Sequence, residues 1–128
     1  MRARFLHRCT HVLDKEATIA FYERALGFHV DHEVGPEDGS WTNTFMVNDA
    51  SPVELELTWN RGRTEPYDNG GRDTHIAFEV DDIEAAHRLH ASMGCIDTEN
   101  PRMGLYFIVD PDGQRIEILS ADRKRSRG

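Results

Sequence analysis

The hydrophobic and polar positions of the first half predict a strand, a helix and three further strands. Residues 5–12 form a strand-like segment, and Asp14 follows as a candidate helix N-cap. A helical pattern comes next, and Gly27 stands where the helix would end. The hydrophobic residues with helical spacing are Ile19, Tyr22 and Leu26. Three strand patterns come after the helix, over residues 29–34, 41–47 and 53–59.

The second half repeats this order. A strand-like segment over residues 73–80 leads to Asp81 or Asp82, either of which can cap a helix that ends at Gly94. The predicted inner face of this helix consists of Ile83, Ala86, His90 and Met93. Strand patterns follow near residues 95–98 and over residues 106–109 and 114–119. The Asp-Pro-Asp-Gly segment at residues 110–113 predicts a hairpin turn, because proline presets the turn and glycine tolerates positive φ.

An offset of 68 residues, the separation of His7 and His75, also relates Val12 to Val80 and Asp14 to Asp82. Similarity at half the chain length indicates an internal repeat. We therefore predict a single α+β domain over residues 1–128, in which two repeated βαβββ modules form a curved mixed sheet with an open trough. The predicted boundaries are about 5–60 and 73–120 for the modules, and 61–72 for a charged, glycine-containing linker.

The composition limits the classes of function. The chain has 128 residues, with 15 Lys and Arg against 23 Asp and Glu, and a net charge of −8. An acidic domain repels phosphate backbones, so no nucleic-acid partner is expected. The hydrophobic runs are too short to cross a bilayer, and the N-terminus has no hydrophobic signal region, so no membrane partner is expected. Because the two cysteines form no disulfide framework, a cytoplasmic location is predicted.

Strand alternation places imidazole and carboxylate groups on one face of the predicted sheet. The positions on either side of Glu56 and of Glu117 are hydrophobic, so both glutamates face away from the core. His75 faces away from the hydrophobic residues of its strand, and the repeat gives His7 the equivalent place. Two imidazoles and two carboxylates suit a divalent ion such as Zn²⁺, Ni²⁺, Co²⁺ or Fe²⁺. The alternative is an ordinary solvated strand face.

Four other histidines and the cysteines give weaker signals. His29 and His32 are three residues apart on a strand and should point to opposite faces, so a shared metal is not expected. His87 and His90 lie one helical turn apart, and we expect exposed or half-buried side chains rather than metal ligands. The two cysteines are expected to be small packing residues, because no obvious base accompanies either.

Residues 5–120 resemble glyoxalase I, the lactoylglutathione lyases of the vicinal-oxygen-chelate superfamily. The segments that carry the resemblance are Leu6-His7, Phe21 to Phe28, Val53 to Asn60, Thr74 to Phe78 and Asp110 to Glu117. The helix and the Asp-Pro-Asp-Gly turn are shared across the superfamily, whereas glutamate at both carboxylate positions resembles glyoxalase I in particular. The resemblance implies that one ion is bound by His7, Glu56, His75 and Glu117. It favours Ni²⁺ or Co²⁺, with Zn²⁺ possible, in a site that the family usually forms between two subunits of a homodimer.

The resemblance also implies a substrate site. Asn60 matches a position that contacts the glutathione moiety. His11 stands where the family commonly has an arginine that pairs with a glutathione carboxylate, so the identity of the thiol is left open. The candidates for the missing positive charge are Arg102 and three further arginines, Arg61, Arg63 and Arg72.

The implied reaction isomerises the hemithioacetal of methylglyoxal and glutathione to S-lactoylglutathione, which detoxifies methylglyoxal. Glu117 is expected to be the principal base and Glu56 its counterpart, while a divalent ion stabilises the charge that develops on the substrate. The alternatives are a metal-free protein of the same fold that sequesters an antibiotic or another small molecule, and an oxygen-activating iron enzyme. A fourth protein ligand argues against the iron enzyme, which needs open positions for oxygen.

Overall fold

The computed structural model describes residues 1–70 and 74–122, and the chain divides into two compact units, Met1–Asn69 and Gly70–Gly128. Each unit contains a strand, a helix and three strands, which confirms the predicted βαβββ order in both halves. The elements of unit 1 are β1 (His7–Val12), α1 (Lys15–Leu26), β2 (His29–Val34), β3 (Trp41–Val47) and β4 (Glu54–Asn60). The elements of unit 2 are β5 (Ile76–Val80), α2 (Ile83–Met93), β6 (Ile96–Asn100), β7 (Leu105–Val109) and β8 (Arg115–Ser120).

Each unit forms its own four-stranded mixed sheet. The strand orders are β1-β4-β3-β2 and β5-β8-β7-β6. The first strand of each unit runs parallel to the last, and the other neighbours are antiparallel. Two strands that are far apart in sequence therefore become direct neighbours in space. This pairing places the strand that begins at His7, or directly after His75, next to the strand that carries the glutamate.

The ends of both helices follow from their capping residues. The carboxylates of Asp14 and Asp82 each accept a hydrogen bond of 3.0 Å from a backbone N–H of the first turn. Asp82 is thus the cap of α2, and Asp81 is not. Gly27 and Gly94 end the helices with φ of 69° and 68°, a left-handed conformation that glycine adopts without steric cost. No helix of the described residues is long and hydrophobic enough to cross a membrane.

The inner face of α1 differs from the predicted one. The buried residues of this helix are Thr18, Phe21, Tyr22 and Ala25. Tyr22 belongs to the predicted stripe, but Ile19 and Leu26 are only half-buried. The buried set has the i, i+3, i+4, i+7 spacing of a core-facing helix, and its centre lies between Phe21 and Tyr22. The tyrosine ring packs edge-on against Phe21 and Phe28, so aromatic packing decides which side of the helix is buried.

In unit 2 the prediction of an exposed or half-buried His90 is wrong. The residue is 1% exposed, because it lies on the inner face of α2, as the helical spacing predicted, and packs against Tyr106 of β7. The Nδ1 atom of His90 lies 2.7 Å from the hydroxyl of Tyr106, which is also buried. A buried imidazole is tolerated where such a partner satisfies its polar atoms. His87, one turn earlier, is half-buried as predicted, and its Nε2 atom is in close contact with Oε1 of Glu99.

The turn between β7 and β8 has the predicted hairpin chemistry. The Oδ1 atom of the buried Asp110 accepts hydrogen bonds of 2.9 Å from the backbone N–H groups of Asp112 and Gln114. Because this turn sets the register of the hairpin, Glu117 comes directly opposite Phe107.

Candidate metal centre

In unit 1 the predicted ligands His7 and Glu56 lie together on the face of the sheet away from the core. The Nε2 atom of His7 is 3.5 Å from Oε1 of Glu56. His7 is the first residue of β1, and Glu56 lies in β4 opposite Phe45 of β3. The imidazole meets the Phe45 ring edge-on, with 5.7 Å between the ring centroids. The glutamate side chain is 13% exposed, so its carboxylate is sheltered although it lies outside the core.

Unit 2 repeats this arrangement with different residues. The Nε2 atom of His75 is 3.4 Å from Oε1 of Glu117, whose side chain is 18% exposed. Glu117 lies in β8 opposite Phe107 of β7, and His75 meets the Phe107 ring edge-on at 5.3 Å. Unlike the predicted strand, β5 begins at Ile76, so His75 stands immediately before it, and Asp73 lies outside the described residues. Each unit therefore presents one imidazole and one carboxylate beside a phenylalanine.

The spacing within each pair fits two ligands of one metal ion. A hydrogen bond between a ring nitrogen and a carboxylate usually spans about 2.7–3.2 Å, which is shorter than either observed distance. Two ligand atoms that are each about 2.1 Å from one ion lie no more than about 4.2 Å apart. The observed 3.5 Å and 3.4 Å are within that limit. Imidazole nitrogen with carboxylate oxygen is also a donor set that Zn²⁺, Ni²⁺ and Co²⁺ accept. The convergence of all four side chains on one ion stays a prediction.

The structure adds aromatic partners that the sequence patterns did not single out. Phe45 and Phe107 occupy equivalent positions, each opposite the glutamate and in edge contact with the histidine of its own unit. A phenylalanine ring has no polar atom to compete for the imidazole, so the contact limits ring rotation without occupying a nitrogen. The offset of 68 residues does not relate these two phenylalanines, which are 62 residues apart, so the strand pairing was needed to identify them.

Two of the predicted substrate contacts, Asn60 and His11, lie close to one tyrosine in unit 1. The side-chain amide of Asn60 donates a hydrogen bond of 3.2 Å to the hydroxyl of Tyr67, and the ring of His11 packs on the same tyrosine at 5.1 Å. Asn69 bonds both backbone groups of His11, as donor at 3.1 Å and as acceptor at 3.3 Å. The described part of the predicted linker, residues 61–70, is therefore attached to β1.

The candidate arginines have different surroundings. Arg63 is held by the carbonyls of Glu65 and Pro66, and its guanidinium lies over the Tyr67 ring at 4.2 Å. Arg61 donates to the carbonyl of Asp38. Arg102 is exposed in the turn between β6 and β7 of unit 2, so its role stays a prediction. Arg72 lies outside the described residues.

Cys9 lies opposite Glu56 in the parallel pairing of β1 with β4. Its Sγ atom is 3.3 Å from the hydroxyl of Thr58. Burial is the largest cause that raises the pKa of the Cys9 thiol, and the neighbouring Glu56 raises it further. The thiol is therefore protonated at neutral pH, which argues against a nucleophilic role, since the thiolate is the reactive form.

Comparisons with known proteins agree on one family. Residues 4–118 match the family described as Glyoxalase/Bleomycin resistance protein/Dioxygenase superfamily. The chain is 33% identical to the lactoylglutathione lyase of Salmonella typhimurium over 126 residues, covering 92% of this chain and 93% of that protein. It is 33% identical to the lactoylglutathione lyase of Haemophilus influenzae over 129 residues, covering 94% and 95%.

Solved structures give the same result. A trypanothione-dependent glyoxalase I from Leishmania major is 31% identical and superimposes with a TM-score of 0.77, covering 93% of this chain and 87% of that one. Glyoxalase I from Zea mays is 28% identical with a TM-score of 0.76, and this match covers 90% of this chain and 43% of the maize chain. The fosfomycin resistance protein FosX from Listeria monocytogenes, at 18% identity and a TM-score of 0.73, shares the fold.

Proposed function

Because this chain belongs to the Glyoxalase/Bleomycin resistance protein/Dioxygenase superfamily and is a lyase, we propose that it is a metal-dependent glyoxalase I. Its proposed substrate is the hemithioacetal of methylglyoxal and glutathione, and its product is S-lactoylglutathione. The observation that carries the proposal is the repeated histidine–glutamate pair, with 3.5 Å and 3.4 Å between the ligand atoms. The protein is proposed to act as a cytoplasmic homodimer.

The proposed metal ligands are His7, Glu56, His75 and Glu117, with Ni²⁺ or Co²⁺ favoured over Zn²⁺. A divalent ion bound there supplies a Lewis acid that stabilises negative charge developing on the substrate oxygens. The residues of this chain hold the ligand atoms in a fixed orientation. Both histidines present Nε2 to the glutamate of their own unit. The edge contact with Phe45 or Phe107 limits the rotation of each ring.

Glu117 and Glu56 are the proposed proton carriers. The isomerisation moves the hydroxyl proton of the carbon that bears sulfur to the oxygen of the neighbouring carbonyl, and it moves the carbon-bound proton of the first carbon to the carbonyl carbon, with no net change in the oxidation state of the substrate. A carboxylate oxygen of Glu117 accepts the carbon-bound proton and returns it to the neighbouring carbon, and Glu56 does the same for the other face. Exposures of 18% and 13% shelter both carboxylates, which limits loss of the proton to water.

The thiol moiety is proposed to bind near Asn60 and His11. The Tyr67 hydroxyl holds the Asn60 amide in one orientation, since the amide donates to it at 3.2 Å. The double hydrogen bond from Asn69 fixes the backbone of His11. Arg102 is proposed as a further contact for a substrate carboxylate. The side chain of His11 is shorter than arginine and lacks the forked guanidinium that binds a carboxylate through two hydrogen bonds, so a thiol other than glutathione is a second candidate cosubstrate.

The test is turnover of the methylglyoxal–glutathione adduct by the full-length protein, before and after removal of metal by a chelator. We expect loss of activity on chelation and recovery with Ni²⁺ or Co²⁺. Glu117→Gln should lower kcat by about 10²–10⁴-fold, the usual contribution of general acid–base catalysis. Glu56→Gln should weaken metal binding and lower turnover as well. The matched control is Glu23→Gln, an exposed residue of α1, which should leave turnover unchanged.

Two results would contradict the proposal. Full turnover in the Glu117→Gln variant would remove that carboxylate from the mechanism. Small-molecule binding that is retained without metal, together with no turnover under any metal, would favour the metal-free sequestering protein. Light scattering tests the dimer, because a mass of one chain, 14.6 kDa, would contradict it.

The identity of the thiol has its own experiment. His11→Arg restores the residue common in the family and should lower KM for the glutathione adduct with little change in kcat, because it adds binding remote from the reacting carbons. Repeating the assay with other low-molecular-weight thiols shows whether the wild type prefers one of them. An unchanged KM for the glutathione adduct in His11→Arg would show that His11 does not contact the thiol moiety.

A further inference from the structure

A β-bulge in unit 1 changes the direction of two side chains. In the pairing of β2 with β3, Val30 pairs with Met46 and His32 with Phe45, so Asp31 is an extra residue. At a bulge two successive residues oppose one partner, which breaks the alternation of the strand and re-aims a side chain. The Nδ1 atom of His32 lies 2.7 Å from Oδ2 of Asp31, so the two side chains are adjacent. The prediction that His29 and His32 point to opposite faces is therefore wrong, because they pair with Val47 and Phe45, which are two residues apart on β3.

Glu54 joins these two residues from another strand. Asp31, His32 and Glu54 each offer one ligand atom, and the three atoms lie within 4.8 Å of one another. The imidazole of His32 stacks on Phe45 with 4.5 Å between centroids and 7° between planes, which fixes its plane. Among the described residues, no lysine or arginine nitrogen lies within 4.0 Å of the Asp31 or Glu54 carboxylate. Within the described residues, neither lysine nor arginine therefore balances the two carboxylates.

The second unit shows what occupies the equivalent position there. The bulge in β6 makes Asp97 the extra residue, and Thr98 pairs with Phe107. Arg115 stands two residues before Glu117, as Glu54 stands two residues before Glu56. Its guanidinium lies over the Phe107 ring at 4.0 Å, with Nε 3.6 Å from Asp97. In unit 2 the positive charge beside Asp97 is therefore supplied by a side chain of the protein, the guanidinium of Arg115.

We propose that Asp31, His32 and Glu54 bind a divalent cation of the Zn²⁺ and Ni²⁺ class at a second site. In unit 1 a glutamate replaces the arginine, so a cation from solution takes the role that Arg115 has in unit 2. One imidazole with two carboxylates suits these borderline ions, whereas Mg²⁺ and Ca²⁺ prefer oxygen ligands alone. Bound there, the ion links β2 to β4 and removes the repulsion between the two carboxylates. The site uses none of the four ligands proposed for catalysis.

The test is equilibrium dialysis of the full-length protein against Zn²⁺ or Ni²⁺, with bound metal measured per chain. Asp31→Asn and Glu54→Gln should each abolish binding of one ion per chain or lower its affinity by at least about tenfold. Loss of a residue that only hydrogen-bonds to a metal ligand already lowers affinity by about that factor, and loss of the ligand itself costs no less. Glu33→Gln is the matched control on the same strand. Glu33 is ion-paired with Lys15 at 2.7 Å, and this variant should bind metal as the wild type does.

Two further variants separate this site from the proposed catalytic one. Glu117→Gln should weaken the binding of the catalytic ion and leave the second class of binding unchanged, whereas Glu54→Gln should do the reverse. Glu54→Arg reproduces the pairing of unit 2, so it should abolish the second class of binding without lowering the Tm of the metal-free protein. Metal binding by Asp31→Asn and Glu54→Gln equal to that of Glu33→Gln would overturn the proposal, as would displacement of Zn²⁺ by equimolar Mg²⁺.

Discussion

Substitution of Tyr106 by phenylalanine tests how the core of unit 2 accommodates the buried His90. Tyr106 is 3% exposed, His90 is 1% exposed, and 2.7 Å separates the hydroxyl from Nδ1. Tyr106→Phe removes only the hydroxyl and keeps the ring. Loss of one partner of a buried hydrogen bond costs about 1–3 kcal/mol. At about 2.1 cal/mol/K per residue, unfolding the 128-residue chain has an entropy near 270 cal/mol/K, so Tm should fall by about 4–11 °C.

The same variant has a pH signature. Burial is the largest cause that raises the pKa of Tyr106 above its ordinary value near 10, and Cys95 and Glu99 add to it. Above about pH 10 the unfolded chain loses the phenolic proton while the folded chain keeps it. The unfolded state then binds fewer protons, so stability falls with rising pH, by up to about 1.4 kcal/mol per unit. The Tyr106→Phe variant lacks this contribution, so the difference in free energy of unfolding between wild type and variant should become smaller above pH 10.

Urea and thermal unfolding at pH 8 and pH 11, followed by circular dichroism, measure both effects. Tyr67→Phe is the control, since Tyr67 is a half-buried loop residue whose hydroxyl contacts Asn60 at 3.2 Å. The control should lose less than about 1 kcal/mol, with no difference between the two pH values beyond that of the wild type. Equal stability of Tyr106→Phe and wild type at pH 8, or a gap that stays constant to pH 11, would refute the reasoning.

Two other predictions concern local structure. Asp82→Ala should cost about 1 kcal/mol because it removes the carboxylate that caps α2, whereas Asp81→Ala should cost almost nothing, and equal losses in urea unfolding would contradict the capping argument. Asn69→Ala should expose residues 61–70 to trypsin, because Asn69 bonds both backbone groups of His11. Asn48→Ala, which removes a bond to Leu26 elsewhere in unit 1, is its control, and equal cleavage rates in the two variants would show that Asn69 does not hold the loop.

Much of the fold was predictable because its signals are local. The N-cap Asp14, the terminal Gly27 and the Asp-Pro-Asp-Gly turn act through their own backbone neighbours, and the structure places each as predicted. The repeat supplied the long-range information, since two copies of one module imply equivalent positions for His7 and His75. The buried face of α1 was harder to predict from the sequence, because it depends on the aromatic residues that pack against one another at Phe21 and Tyr22.

The sequence by itself determined the order of elements, the helix ends and the strand faces that carry Glu56 and Glu117, because these depend on spacing within a few residues. Only the tertiary structure decided which residues meet across strands. The extra residue at Asp31, the stacking of His32 on Phe45 and the attachment of Asn69 to β1 all depend on register and on chain segments far apart in sequence. A shift of one residue in pairing moves a side chain to the other face, and periodicity within a single strand does not reveal such a shift.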